Sequence, residues 1–144
     1  MSVESNKQAA NRIPIAFSEG RLEIVDEVLS EDLLDHSVQP GLPGGREGIE
    51  ALITTVRAAF SDFKVTVVHS VAEGDLVVQH TRNTGTMTGE FRGMKPTGKS
   101  ATWDIVHIVR FQDGKAVEHW AIADNLAMLQ QLGLAPAAPT ARAA

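Results

Sequence analysis

The stretch WDIVHIVRFQDGKAVEHWAIADNLAMLQQLG, residues 103–133, alternates, turns, alternates again and then takes a helical period. Trp103, Ile105, His107, Val109 and Phe111 fall on one face of a period-two strand; Asp104, Val106, Ile108 and Arg110 fall on the other. Asp113-Gly114-Lys115 reads as a hairpin connection and Val117 to Ala123 as the returning strand. His107 thus sits mid-strand, on a face otherwise filled by Trp, Ile, Val and Phe. An imidazole in such a wall is either a paired core group or one that lines a pocket. Register decides its company. A two-residue turn puts Trp120, Ile122 and Asp124 on the face of His107; a three-residue loop or a bulge puts His119, Ala121 and Ala123 there.

Outward from this hairpin, apolar spacing predicts helices over Ser5–Phe17, with Pro14 kinking or delimiting the first, over Leu22–Leu29 and over Gly48–Phe60. Asp32–Val38 reads as a short extended segment, and Gln39–Gly45, rich in Pro and Gly, as a loop. Phe63–Val71 and Leu76–Thr86 add two strands, which makes four with the hairpin. Helices first and consecutive antiparallel strands after them imply an α+β domain over residues 1–134, its curved antiparallel sheet packing a concave face on the helices. Residues 135–144 form an Ala/Pro-rich tail expected to be mobile.

A chain of 144 residues with 43% hydrophobic and 22% charged residues supports one folded core. A net charge of -5 argues against nucleic acid as a partner. The chain shows neither a membrane-length apolar run nor the layout of a signal peptide, so a cytoplasmic location is expected. Without cysteine, any chemistry falls to His, Asp, Glu and ordered donors.

The order of elements, together with TGEFRGMKPTGK (88–99), VHIVRFQDGK (106–115), EHW (118–120) and LQQLG (129–133), resembles the SnoaL-like polyketide cyclases. These belong to the cystatin-like α+β cone superfamily, which also holds nuclear transport factor 2 and ketosteroid isomerase. The resemblance implies a cone with an apolar cavity, a homodimer or higher oligomer, and acid–base chemistry without metal or organic cofactor. In the cyclases a carboxylate removes a proton next to a carbonyl while neighbouring donors hold the enolate oxygen. That carboxylate stands directly after the position of Trp120, where this chain has Ala121; His107 keeps the site histidine, Asp35 keeps a polar group, and Ile105 replaces a hydrogen-bonding residue. The resemblance favours the register that puts His119 and Ala121 beside His107.

Three readings follow: a cofactor-free cyclase or isomerase acting on a small apolar or aromatic carbonyl compound, a cofactor-independent hydroxylase of an aromatic polyketide, or a non-catalytic ligand-binding or dimerisation module. His107, Asp35 and Asp124 are the candidate catalytic groups, although Asp124 also reads as a helix N-cap. Phe17, His36, Trp103, Ile105, His119 and Ala121 are the candidate substrate contacts; Asp35 and His36 read equally as turn residues beside the Pro/Gly loop. No tight spacing of histidines points to a metal.

Overall fold

The structure, a computed structural model, describes residues 2–137, so from residue 138 onward the expected tail lies outside the described residues. Ser2 caps the first helix, α1 (Val3–Glu19), by a reciprocal pair of 3.0 Å bonds with Ser5. Pro14 lies inside α1, which continues to a Gly20 cap at φ 72°. α2 (Leu22–Val28) buries Ile24, Val25 and Val28 and runs straight into β1 (Leu29–Asp35). α3 (Gly45–Ala59) begins earlier than its apolar spacing suggests and packs Ile49, Ile53 and Val56 inward. The strands β2 (Lys64–Glu73), β3 (Leu76–Thr86), β4 (Ser100–Gln112) and β5 (Lys115–Ala123) follow, then α4 (Asn125–Gln131). None of the described helices is long and apolar enough to cross a membrane.

The sheet has the order β1-β5-β4-β3-β2 and wraps the N-terminal helices as an α+β cone. β2 to β5 are consecutive and antiparallel. The sheet is nonetheless mixed: the extended segment before the Pro/Gly loop is a fifth strand, paired in parallel with β5 through Leu34 opposite Glu118 and Asp35 opposite His119. A parallel neighbour joins only through a long crossover, here α3 and three strands, and local spacing carries no trace of that pairing.

Gln112 pairs directly with Lys115, so the hairpin loop is two residues rather than three. Asp113 and Gly114 take φ of 52° and 82°, the left-handed values of a type I′ turn. A bulge follows at once. Phe111 faces Ala116 while Arg110 faces Glu118, which leaves Val117 unopposed. The extra residue rephases β5, setting Ala121 opposite His107 and His119 opposite Val109. The face expected from the resemblance is reached, by the bulge and not by a longer loop.

Two buried apolar clusters fill the cone. One joins Ile24, Val25 and Val28 to Ile53, Val77 and Phe111; the other joins Phe60, Phe63, Met87 and Trp103 to Met128 and Leu132. Phe17 packs against both.

Candidate active site

A cavity of about 210 Å³ opens among these residues. Phe17, Trp103 and Ile105 form apolar wall. β3 turns Gln79, Thr81 and Asn83 inward as a buried polar stripe, paired across the ladder with His107, Ile105 and Trp103. Val38, Pro43, Arg92 and Asn125 line the cavity and are also exposed, which marks its mouth beside the Pro/Gly loop.

Where β1, β5 and β4 lie side by side, three side chains meet on the cavity wall. His107 Nδ1 is 3.0 Å from His119 Nε2, and His119 Nδ1 is 2.9 Å from Asp35 Oδ1. The imidazole centroids are 5.2 Å apart with planes 24° from parallel, about the N···N distance plus one ring width, so the rings meet edge to edge rather than face to face. The same Asp35 oxygen accepts the Ser37 N–H at 2.9 Å. Ser37 Oγ accepts the Ala121 N–H at 2.8 Å and donates to the Ala121 carbonyl at 3.1 Å, which fixes the end of β1 to β5. The Asp35 side chain is 6% exposed.

Burial alone would raise the pKa of Asp35, but the bonds from His119 and the Ser37 amide outweigh it and hold the carboxyl below its ordinary value. An ionised carboxylate only accepts, so His119 carries its proton on Nδ1 and presents a lone pair at Nε2. His107 then donates from Nδ1, which leaves its Nε2 as the basic nitrogen available to a cavity ligand. Burial, and then the neighbouring His119, lower the His107 pKa to about 3, with Asp35 pulling the other way. His107 is therefore neutral at physiological pH. Its accessible surface opens into the cavity.

Phe17, Trp103, Ile105, His119 and Ala121 line the same cavity as His107 and Asp35. Two candidates lie elsewhere. The His36 ring stacks on Trp120 at 4.8 Å, and its Nε2 lies 2.7 Å from Glu118 Oε2, on a carboxylate that Arg110 also holds at 3.0 Å. Strand alternation explains this: one residue beyond Asp35, the side chain leaves the inner face. Asp124 is the N-cap of α4, its Oδ1 accepting the Ala127 N–H at 3.2 Å. His80 also faces outward, 2.8 Å from Asp104 and 3.1 Å from His69. Gln79, Thr81, Asn83, Ser37 and Arg92 are cavity residues that the sequence reading passed over. The alternation of β3 did carry a signal for three of them, since Val77, Gln79, Thr81 and Asn83 share one face.

The cone fold, the cavity and the histidines on its wall place the chain in a known class. It matches the family model described as SnoaL-like polyketide cyclase over residues 7–132 and belongs to that family. Nogalonic acid methyl ester cyclase of Streptomyces nogalater is 32% identical over 120 residues, covering 82% of this chain and 90% of the cyclase. IdmH of Streptomyces antibioticus, a candidate polyketide cyclase, superposes with a TM-score of 0.77 at 34% identity, covering 89% of this chain and 98% of IdmH. AclR of Streptomyces galilaeus, a candidate hydroxylase, gives a TM-score of 0.84 at 29% identity, covering 96% of this chain and 87% of AclR.

Proposed function

We propose that this chain is a cofactor-free acid–base enzyme of polyketide-type metabolism, acting on a small, flat, apolar compound that carries a carbonyl. The observation that carries the reading is the unbroken line from Asp35 through His119 to His107, ending on the cavity wall opposite Ala121. His107 Nε2 takes a proton from the carbon next to the carbonyl, and the electron pair of that C–H bond becomes the enolate. A cation left on His107 is unfavourable, since lowering its pKa from 6.5 to about 3 corresponds to roughly 5 kcal/mol. The relay avoids that cost. His107 passes its Nδ1 proton to His119 Nε2, so the positive charge settles beside the Asp35 carboxylate. The enolate carbon closes on a second carbonyl, and the new alkoxide recovers a proton from His107 Nε2–H as His119 Nε2 returns its proton to His107 Nδ1, which restores both neutral rings. Asp35 and His119 thereby replace the carboxylate that the family places at position 121.

A second reading, a cofactor-independent hydroxylase acting on an electron-rich ring, is favoured by Ala121 and by the likeness to AclR. We also propose a homodimer formed through the outer sheet face, where Ile122 is 72% and Leu34 55% exposed. The test is ring closure of nogalonic acid, supplied both as the methyl ester named by the cyclase relative and as the free acid. His107→Ala and Asp35→Asn are each expected to lower turnover by about a hundredfold or more. The amide introduced by Asp35→Asn still accepts the His119 N–H but supplies no charge, so it separates proton handling from packing. Turnover unaffected by His107→Ala and abolished by Asp124→Ala would overturn the assignment. Oxygen uptake in step with substrate loss would select the hydroxylase.

A further inference from the structure

Between β3 and β4, Phe91 and Met94 exchange both backbone hydrogen bonds, at 3.0 and 2.9 Å, and close a tight turn around Arg92 and Gly93. Arg92 has φ 50° and Gly93 φ 78°. These are type I′ values, which suit Asn, Asp or Gly at the first central position. Asp113, the other described non-glycine residue with positive φ, fits that preference. Arg92 does not. A long side chain held in the left-handed region is disfavoured, and such conformations concentrate where a ligand is gripped.

What the strained turn achieves is the placement of a guanidinium. Arg92 lines the cavity at its mouth, with its guanidinium carbon 4.8 Å above the Phe91 ring, and it donates to Gln39 Oε1 from the facing loop. It is the one Lys or Arg among the residues lining the cavity. The other described arginines have charge partners or helix carbonyls. Arg12, Arg21, Arg46, Arg82 and Arg110 pair with carboxylates, and Arg57 bonds the Phe17 and Ser18 carbonyls near the end of α1. Among the described arginines, Arg92 alone faces only a neutral side chain. Partial burial holds its pKa below the usual arginine value, in keeping with a charge whose partner is missing.

We infer that Arg92 is the subsite for a carboxylate of the ligand, with Gln39 holding the guanidinium in place until that group arrives. The inference rests on reading the cavity as the site of a flat apolar molecule. It adds that the molecule is an acid, oriented with its carboxylate at the mouth and its carbonyl toward His107. A guanidinium takes a carboxylate through two parallel N–H···O bonds, a fit that an amide or ester does not reproduce.

The test is a calorimetric titration at low salt with anthraquinone-2-carboxylate and, separately, anthraquinone-2-carboxamide. The natural chain is expected to bind the carboxylate about tenfold more tightly than the amide, the size of one charge-assisted pair at a partly exposed mouth. Arg92→Gln is expected to abolish that ratio and Arg92→Lys to retain part of it. Arg82→Gln, a charge removed from the outer face, should keep it whole. Equal binding of both probes by the natural chain, or an undiminished ratio in Arg92→Gln, would overturn the subsite alone. Binding of neither probe would overturn the aromatic-ligand reading and the subsite with it.

Discussion

Replacing His107 with Gln should flatten the acid limb of the stability curve. In the unfolded chain the imidazole takes up a proton as pH falls through its ordinary value of 6.5; in the folded chain burial and His119 delay this until about 3. Between those limits the unfolded state binds more protons, so the stability contributed by the neutral ring falls as pH falls, by about 1.4 kcal/mol per pH unit. From pH 7.5 to 5.0 the loss integrates to about 2 kcal/mol. Asp35 does not confound that window: its folded pKa is depressed, so its contribution is lost only as pH falls through and below the unfolded value of 3.8. Gln is close in size to His and does not titrate. Urea unfolding at the two pH values is expected to show the natural chain losing about 2 kcal/mol more than His107→Gln, whatever stability the variant has at pH 7.5. Equal losses in both proteins would refute the claim that a buried neutral imidazole sits on the cavity wall.

Ala121→Asp puts a carboxylate on the wall opposite His107; stability is expected to fall by roughly 1–3 kcal/mol in urea unfolding while ring closure of the polyketide ester rises. Asp124→Ala removes the cap of α4 and should cost about 1 kcal/mol in the same unfolding assay, with no change in turnover. Ile122→Glu on the outer face should convert a homodimer to a monomer by light scattering; an unchanged mass would count against that surface as the interface.

The helices, the last four strands and the hairpin were legible because each writes its own period into the chain. What escaped depends on pairing between distant segments or on which side of the sheet faces inward. β1 lacks an alternating signature, since Ser30, Glu31 and Asp32 form a polar run and Leu33 and Leu34 are adjacent, and its parallel partner lies far along the chain. On β3, alternation separates Gln79, Thr81 and Asn83 from their neighbours but does not say which set is buried. The usual rule sends polar residues outward, and it fails here because the inward face lines a cavity and not a solid core. The site itself was half legible. Mid-strand His107 among apolar neighbours pointed to the wall, but its link to Asp35 through His119 depends on a bulge and a parallel register that no local pattern contains. Asp124 showed the limit of residue type as a guide, since the same carboxylate serves as a base or a cap according to which N–H it meets.

The bulge at Val117 makes the site a matter of length as well as composition. Between the turn and His119, β5 carries one residue more than a regular ladder needs. A slip that straightened the bulge without losing a residue would turn the rest of the strand over, exchanging His119 and Ala121 for Trp120 and Ile122 on the inner face. Deletion of Val117 would remove the surplus residue and the bulge together, leaving His119 opposite Val109 and Ala121 opposite His107. Presence or absence of the bulge, rather than loss of its residue, thus acts as a two-position selector. Divergence among relatives of this chain is therefore expected to hold the face of the second histidine fixed, by a bulge where the segment has this length and by a regular ladder where it is one residue shorter.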